Sequence, residues 1–372
     1  MASKLKLKRL LIRGFKSVDS RHPLTLELGN VNVLLGANGA GKSNVISFFQ
    51  LLGNLMNGSL QRYVEQAGTA QTFLYYGAKK TSSLFGAFYL EDKEENQYVY
   101  QISLSHALPD RLVITMENVA FQKGKEGLVQ PNMLPTNFKE SELPNATDGA
   151  SVSVRDFLSG CKIFQFHDSS AEGALRQASP VETAHYLQTR GDNLAAFLYY
   201  LKESFPFHYK RVVEYVRLVM PQFKDFYLQP RQGYVSLMWT DNSTNDYVLI
   251  PQQFSDGTIR FIALATLLLQ PEETMPRLIL IDEPELGLHP YAIRQLAEMI
   301  KDAAFHAQVI IATQSPLLLD EFELRDISIL ERDEVLNATV KRELNEQELT
   351  EWLDNYSLSE LWEKNVIGGR PV

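Results

Sequence analysis

A single cysteine, Cys161, stands in a chain of 372 residues. That scarcity excludes an internal disulfide framework and any cysteine-rich zinc site. Long apolar runs are also missing. The longest nearly unbroken one, Phe261 to Leu269, falls far short of the roughly 20 residues a membrane-spanning helix needs. The opening MASKLKLKRLLIRGFKS has neither the apolar stretch nor the small-residue cleavage site of a secretory leader. A cytoplasmic location without a membrane partner is therefore expected. Positive charge is not in excess: 36 basic residues face 45 acidic ones, for a net charge of −9. A generally basic nucleic-acid coat is thereby excluded, and any DNA contact would need a local patch. The clearest basic cluster, Lys4, Lys6, Lys8 and Arg9, alternates with apolar residues. It reads as the solvated face of a strand, with a DNA-binding patch as the alternative. There is no repeat of 20 to 50 residues and no sustained heptad tract.

What is present is an ordinary globular composition, 45% hydrophobic and 22% charged, in a length that predicts about two units. Leu5, Leu7, Leu10 to Ile12 and then Leu24, Leu26 and Leu28 follow strand patterning. Val31–Leu35 reads as a buried strand, and a helix is expected over Lys42–Met56. Strands are expected at Ser83–Leu90, Tyr98–Ser105 and Arg111–Phe121, and residues 123 to 150 read as a loop. Helical periodicity marks Asn193–Glu203 and His208–Val219, and strand patterns return at Gly233–Trp239 and Tyr247–Ile250. From Thr258 onward helices alternate with strands at Leu278–Ile281, Gln308–Ala312 and Ile327–Glu331, with a helix over Pro290–Phe305. That alternation predicts an α/β lobe with a parallel or mixed sheet flanked by helices. The expected organisation is residues 1–125 and 251–372 forming the lobe, with 126–250 a mainly helical insertion carrying some strands.

GANGAGKS, Gly36 to Ser43, fits G-x-x-x-x-G-K-[ST] at every position and lies between a buried-strand pattern and a helix. Glycines at 36, 39 and 41 let the backbone turn tightly and bring its N–H groups to phosphate oxygens. The following helix turns its positive end to the same charge. Lys42 supplies a cation for the β- and γ-phosphates, and the Ser43 hydroxyl is a magnesium ligand. The candidate nucleotide-binding stretch is Gly36, Ala37, Asn38, Gly39, Ala40, Gly41, Lys42, Ser43 and Asn44. LILIDEPELGLHP, Leu278 to Pro290, ends an apolar strand on two carboxylates. Asp282 is placed to hold magnesium, directly or through water, and Glu283 to orient or deprotonate an attacking water.

The order GANGAGKS, FSDGTIR, LILIDEPELGLHP, IIATQSP resembles ABC-type ATPases, specifically the RecF, SMC and OLD-like branch of non-transporter heads. LIRGFKS, before the phosphate loop, looks like that branch's opening strand. WLDNYSLSELWEKNVIGGRP is similar to a group of predicted bacterial ATPases. The resemblance implies an ABC-type P-loop head with additional antiparallel strands, using ATP and Mg²⁺. It also implies a homodimer in which the signature of one subunit covers the γ-phosphate held by the other. FSDGTIR occupies the signature position: Ser255 would donate a hydrogen bond, and Gly257 would admit the phosphate to the backbone. Ser255 or Asp256 serves equally as a helix N-cap, and both roles are compatible. Gly287, Leu288 and His289 correspond to the loop that crosses the dimer interface. Gln314 stands in the switch segment where transporters carry histidine. It can bond a γ-phosphate or the water but cannot become a cation.

For the glutamine of a further ABC loop, Gln71 and Gln165 both qualify by chain order. His167, near Gln165, reads as packed or capping rather than as a ligand. Arg13 and Lys16 read as surface charges, with a reach to phosphate or adenine as the alternative. Trp352, Leu353, Tyr356, Leu361 and Trp362 form a helical apolar stripe suited to core or subunit packing. With no nuclease, methylase or toxin signature in the chain, the resemblance points to a motor or sensor acting on a separately encoded effector such as a nuclease. Phage defence and DNA repair are the expected settings. The alternative is a RecF-like module that binds DNA structures and uses ATP to set affinity. A transporter subunit is disfavoured by FSDGTIR and Gln314, and a long-armed SMC protein by the missing coiled coil.

Overall fold

The computed structural model describes residues 4–124, 127, 129–135, 138–243, 247–344, 352 and 355–369. Two units divide the chain: residues 1–162 with 324–372, and residues 163–323.

Alternation of buried and outward residues, interrupted by a bulge between Leu7 and Arg9, builds the first unit's larger sheet. β1 (Lys6–Arg13) buries Leu7, Leu10 and Ile12 and turns Lys6 and Lys8 outward. Those outward cations are engaged locally. Lys6 Nζ donates to Asn30 Oδ1 at 2.8 Å, Lys8 pairs with Glu91 at 3.3 Å, and the Arg9 guanidinium lies 3.8 Å over the Tyr89 ring. β1 pairs antiparallel with β2 (Leu24–Glu27) and with β4 (Ser83–Glu91). β5 (Gln97–Ala107), β6 (Arg111–Gln122) and β7 (Val129–Met133) continue outward, giving the order β2-β1-β4-β5-β6-β7. β7 falls where a loop was expected, and the helix α3 (Gly149–Ser159) begins where that expected loop ends. β7 accommodates Pro131 because it is the edge of the sheet.

The unit's second ladder carries the phosphate loop. β3 (Val31–Leu35) lies parallel to β16 (Ile327–Asp333), and β16 pairs antiparallel with β17 (Ala338–Lys341). α1 (Lys42–Met56) has the bounds its periodicity predicts and buries Val45, Phe48, Phe49, Leu52 and Leu55. Phe48 stacks on Phe88 at 5.9 Å and meets Phe15 edge-on at 5.1 Å. Such pairs contribute about 0.5–1.5 kcal/mol each beyond simple burial, so α1 is held on the sheet face by aromatic packing. α2 (Leu60–Gln66) has its first two amides bonded by the Glu140 carboxylate. α9 (Leu358–Glu363) opens on a Ser357–Glu360 capping box and buries Leu361 and Trp362. Of the expected apolar stripe, Leu361 and Trp362 are core and Trp352 is exposed. Leu353 lies outside the described residues.

In the second unit, β8 (Cys161–Phe164) leads from the first. β9 (Ser179–Pro180) pairs with β11 (Tyr234–Val235), and α4 (Leu194–Ser204) is followed directly by α5 (Pro206–Val219). β10 (Phe223–Tyr227), β12 (Met238–Asp241) and β13 (Val248–Leu249) form a small antiparallel sheet. One strand was expected over Gly233–Trp239. It divides into β11 and β12 because Met238 N bonds back to Ser236 O at 2.8 Å, a turn that interrupts the ladder. α6 (Asp256–Leu268) precedes β14 (Leu278–Asp282), α7 (Pro290–Ala303), β15 (Gln308–Thr313) and α8 (Pro316–Leu319). β14 and β15 pair in parallel from Leu278↔Gln308 to Asp282↔Ala312. Their interiors are buried throughout, as their continuous apolar sequences require.

Candidate functional site

The phosphate-loop residues belong to the first unit and the carboxylates to the second. In the first, Gly41 precedes α1 with φ 107° and no side chain to cap the helix, and α1 has no acidic residue in its first turn. The positive end of the helix thus has no counter-charge of its own, which suits an external anion. A Cβ on Gly41 would overlap Thr339 Oγ1, and one on Gly36 would overlap Leu330 O. The loop is therefore seated against β16 and β17 at two positions that only glycine can fill. Thr339 Oγ1 also donates to Ala40 O at 2.9 Å and meets Ser17 Oγ at 2.7 Å, to which Asn44 Nδ2 donates at 2.6 Å. Lys42 reaches back to Gly36 O at 2.5 Å and Ala37 O at 3.1 Å. Its ammonium is buried and Ser43 is exposed on the first turn of α1.

Beside the loop runs a groove of about 610 Å³, lined by Ala37 to Ala40, the β16–β17 turn and Asn365 with Gly369. Lys16 has φ 49° and donates from Nζ to Ser47 Oγ at 2.5 Å. Burial pushes its ammonium pKa down. It is tethered to α1, which neither the surface-charge reading nor the phosphate reading foresaw. The Arg13 guanidinium lies 5.2 Å over Phe85, a surface packing role.

At the end of β14, Glu283 adopts φ 44°, a left-handed conformation uncommon for a residue with a side chain. Its amide donates to Ala312 O at 2.8 Å, which holds the turn against β15. Gln314 Nε2 donates to Glu283 Oε1 at 3.2 Å, so two of the three expected catalytic side chains meet. With its N–H committed to Glu283, Gln314 offers its amide oxygen or second N–H to a further partner. Asp282, half-buried, ends the strand beside Glu283. Glu285 is a component that sequence reasoning missed. Thr313 Oγ1 donates to its Oε1 at 2.5 Å, and burial raises its carboxyl pKa, with the Glu283 charge adding to the rise. The ELG run signals an acidic residue here, but not that Thr313 is opposite.

The FSDGTIR segment is clamped from its own unit. Ser255 Oγ accepts from Thr258 N at 3.1 Å, so it does cap α6. A Cβ on Gly257 would overlap Gly287 O, which puts the two loops in backbone contact. Arg260 Nη1 donates to Leu286 O at 2.8 Å and its Nη2 to His167 O. The Arg260 and His167 positions line a small cleft with Asp282, Glu283 and Leu286. Arg176, also missed, is 6% exposed and donates to Ser169 O, Pro251 O, Phe254 O and Asp256 Oδ1. Nothing near Arg176 in the sequence marks it, because all its partners but Ser169 lie some 75 to 80 residues away. Of the two glutamines, Gln71 lies in the short turn Ala70–Phe73. Gln165 follows β8, its amide bonded to Thr189 O at 3.0 Å.

In the first unit the loop amides, an uncapped helix start, a lysine and a serine hydroxyl fit a nucleotide phosphate by their chemistry, and in the second unit Asp282 is a carboxylate of the kind that holds magnesium. Among the described residues no group of three or more His, Cys, Asp and Glu side chains could hold a metal ion.

The family described as "AAA domain, putative AbiEii toxin, Type IV TA system" matches residues 132–320, just over half of the chain. The chain belongs to this family. No curated protein matches it. Among solved structures it is similar to an SMC head bound to the C-winged helix domain of ScpA. The identity is 15% and the TM-score 0.61, over 92% of this chain and 99% of that one. It is also similar to the SMC head of Pyrococcus furiosus with an extended coiled coil, bound to the C-terminal domain of ScpA. There the identity is 13% and the TM-score 0.58, over 94% and 99% of the two chains. At such identities the likeness shows the fold alone, which is that of an SMC head domain. Among the described residues, no helix is long and apolar enough to cross a membrane.

Proposed function

We propose that this family member binds ATP with Mg²⁺, closes head to head as a dimer, and hydrolyses the nucleotide to drive or regulate a separate effector. The observation that carries the reading is the Gln314–Glu283 hydrogen bond at a left-handed turn directly after a buried parallel strand. A strained, side-chain-bearing turn that presents a carboxylate and an amide together costs stability and is kept where chemistry needs it.

In this reading Lys42 and the amides of residues 39–44 hold the triphosphate, Ser43 would be a metal ligand from the first unit, and Asp282 would be one from the second. Bound Mg²⁺ would supply charge neutralisation of the β- and γ-phosphates. Glu283 takes the proton of the attacking water, and Gln314 fixes the carboxylate's orientation and bonds the γ-phosphate or that water. Ser255 and Gly257 complete the pocket of the partner subunit, with Gly287 to His289 at the crossing. Charge-assisted contacts contribute about 1.5–3 kcal/mol each. Two sites can therefore supply the roughly 5.5 kcal/mol that turns a 1:99 equilibrium into 99:1. By segment, 1–125 carries the phosphate loop, 126–250 passes on the motion, and 251–372 carries signature, carboxylates and switch. ScpA on the two SMC heads gives a precedent for a separate protein partner. The family description, with its toxin and toxin–antitoxin system, supports a role in phage defence ahead of DNA repair.

Two variants test the core of this reading. Lys42→Ala should abolish ATP binding and ATP-dependent dimerisation. Glu283→Gln should keep ATP, lose at least about 100-fold in turnover and accumulate as dimer, read by light scattering and phosphate release. A Glu283→Gln protein that stays monomeric at saturating ATP refutes the shared site. Stimulation of turnover by duplex, single-stranded or branched DNA would instead favour the DNA-binding alternative.

A further inference from the structure

The Ile-Gly-Gly run at 367–369 lies far along the chain from the phosphate loop, and its contacts give it a purpose that the motif reading did not absorb. α9 ends in a Schellman motif. Asn365 has φ 58° and donates to Trp362 O at 2.9 Å, and Val366 N donates to Leu361 O at 2.9 Å. Ile367, fully buried, then anchors the chain in the first unit's core. Gly368 and Gly369 follow with φ 78° and 79°, so both occupy backbone that other residues rarely adopt. A Cβ on Gly368 would overlap the Arg342 side chain. One on Gly369 would lie 2.7 Å from Ile329 Cγ2 and 3.4 Å from Trp362 Nε1.

This turn ends on the phosphate loop itself. Ala37 N donates to Gly369 O at 2.9 Å, and Gly369 N donates to Glu331 Oε2 at 3.3 Å. Glu331 is paired with Arg342 at 3.6 Å. The loop is thus pinned in sequence: Gly36 against Leu330 O, Ala37 by Gly369 O, and Ala40 by Thr339 Oγ1.

We propose that residues 365–369 are a strap that positions the phosphate loop, with the Gly369 carbonyl as its point of action. It holds the first amide after Gly36 out of the anion cradle and sets the direction in which the following amides face. The inference rests on the nucleotide reading above. Its logic is preorganisation: a loop already ordered loses less freedom when the triphosphate arrives. Gly368 and Gly369 are positioning residues, acting through Ala37.

The test uses the full chain and a methylanthraniloyl-ATP analogue with Mg²⁺. Gly369→Ala is expected to weaken binding by about tenfold or more and to expose the Ala37 amide to hydrogen exchange. Glu331→Ala, a surface change that leaves Gly369 N–H unanchored, should weaken binding by a few-fold. Glu331→Gln should restore it, because the amide oxygen still accepts that bond. A merely structural strap would lower the melting temperature without this Ala-to-Gln recovery in affinity. If Gly369→Ala does not fold, the Glu331 pair decides. Wild-type affinity in both Gly369→Ala and Glu331→Ala overturns the proposal, as does an Ala37 amide that exchanges freely in the wild type. If the wild type and Lys42→Ala both fail to bind the analogue, the nucleotide reading falls. The Ala37 exchange measurement then still judges the strap.

Discussion

In the phosphate loop the groups offered to a ligand are mainly backbone amides, whereas at the end of β14 they are carboxylate and amide side chains. The two stretches are held accordingly. The loop is shaped by absent side chains, with Gly36 pressed to Leu330 O and Gly41 to Thr339. It is then fixed by bonds to its own backbone from Thr339 and Gly369. The carboxylate turn keeps its side chains and accepts an unfavourable conformation, φ 44° at Glu283, to aim one of them. Backbone recognition tolerates changed side chains but not added bulk. Side-chain chemistry tolerates bulk nearby but not loss of the head group.

Four measurements would break or sharpen this contrast. The largest effect is expected from Gly41→Ala, which forces a methyl into Thr339 at a φ of 107°. Nucleotide affinity should fall by at least about 100-fold in a titration with the fluorescent analogue, since the helix start is displaced. Thr339→Gly in the same chain removes the obstructing side chain and should recover part of that loss; no recovery would show that conformation rather than crowding decides. Next, Arg176→Met should destabilise by about 2–4 kcal/mol in urea unfolding, because it strands the carbonyls of Ser169, Pro251 and Phe254 in a buried site.

A smaller change, of opposite sign, is expected from Glu283→Gly. It removes a left-handed side-chain residue and should raise stability by about 1 kcal/mol while abolishing turnover. A destabilised variant would mean that the turn is not strained. The smallest effect concerns pH. Burial raises the Glu285 carboxyl above its ordinary value of 4.5, so the folded state keeps this proton to higher pH than the unfolded chain does. The associated stability is present below about pH 4.5 and is lost as pH rises through the folded-state value. Glu285→Gln should therefore raise the melting temperature by a few degrees at pH 8 and leave it nearly unchanged at pH 4. Equal shifts at both values would remove titration as the cause.

Legibility followed the range of the interactions involved. α1 and the strands β4, β5 and β6 sit where their periodicity put them, because each buries one regular face and the pattern is local. β7 was hidden because an edge strand needs only a partner's backbone and can carry Pro131. Among the candidate site residues, Lys42, Ser43, Asp282 and Glu283 stand in contiguous motifs. Arg176, Thr339 and Gly369 were not, since each acts on residues tens to hundreds of positions away. Glu285 lay inside a recognised motif, yet its burial against Thr313 could not be seen there.

The sequence by itself determined the chemistry on offer: a glycine-spaced loop before a helix, a pair of carboxylates after an apolar strand, and a glutamine after the next. Spacing along the chain suffices for these, because the amides of a tight turn and the end of a strand are local geometry. Only the tertiary structure decided what steadies them, through the threonine of β17, the arginine behind the signature and the glycine strap on the loop. Those contacts join distant segments, and their free energy depends on close packing that no local pattern encodes.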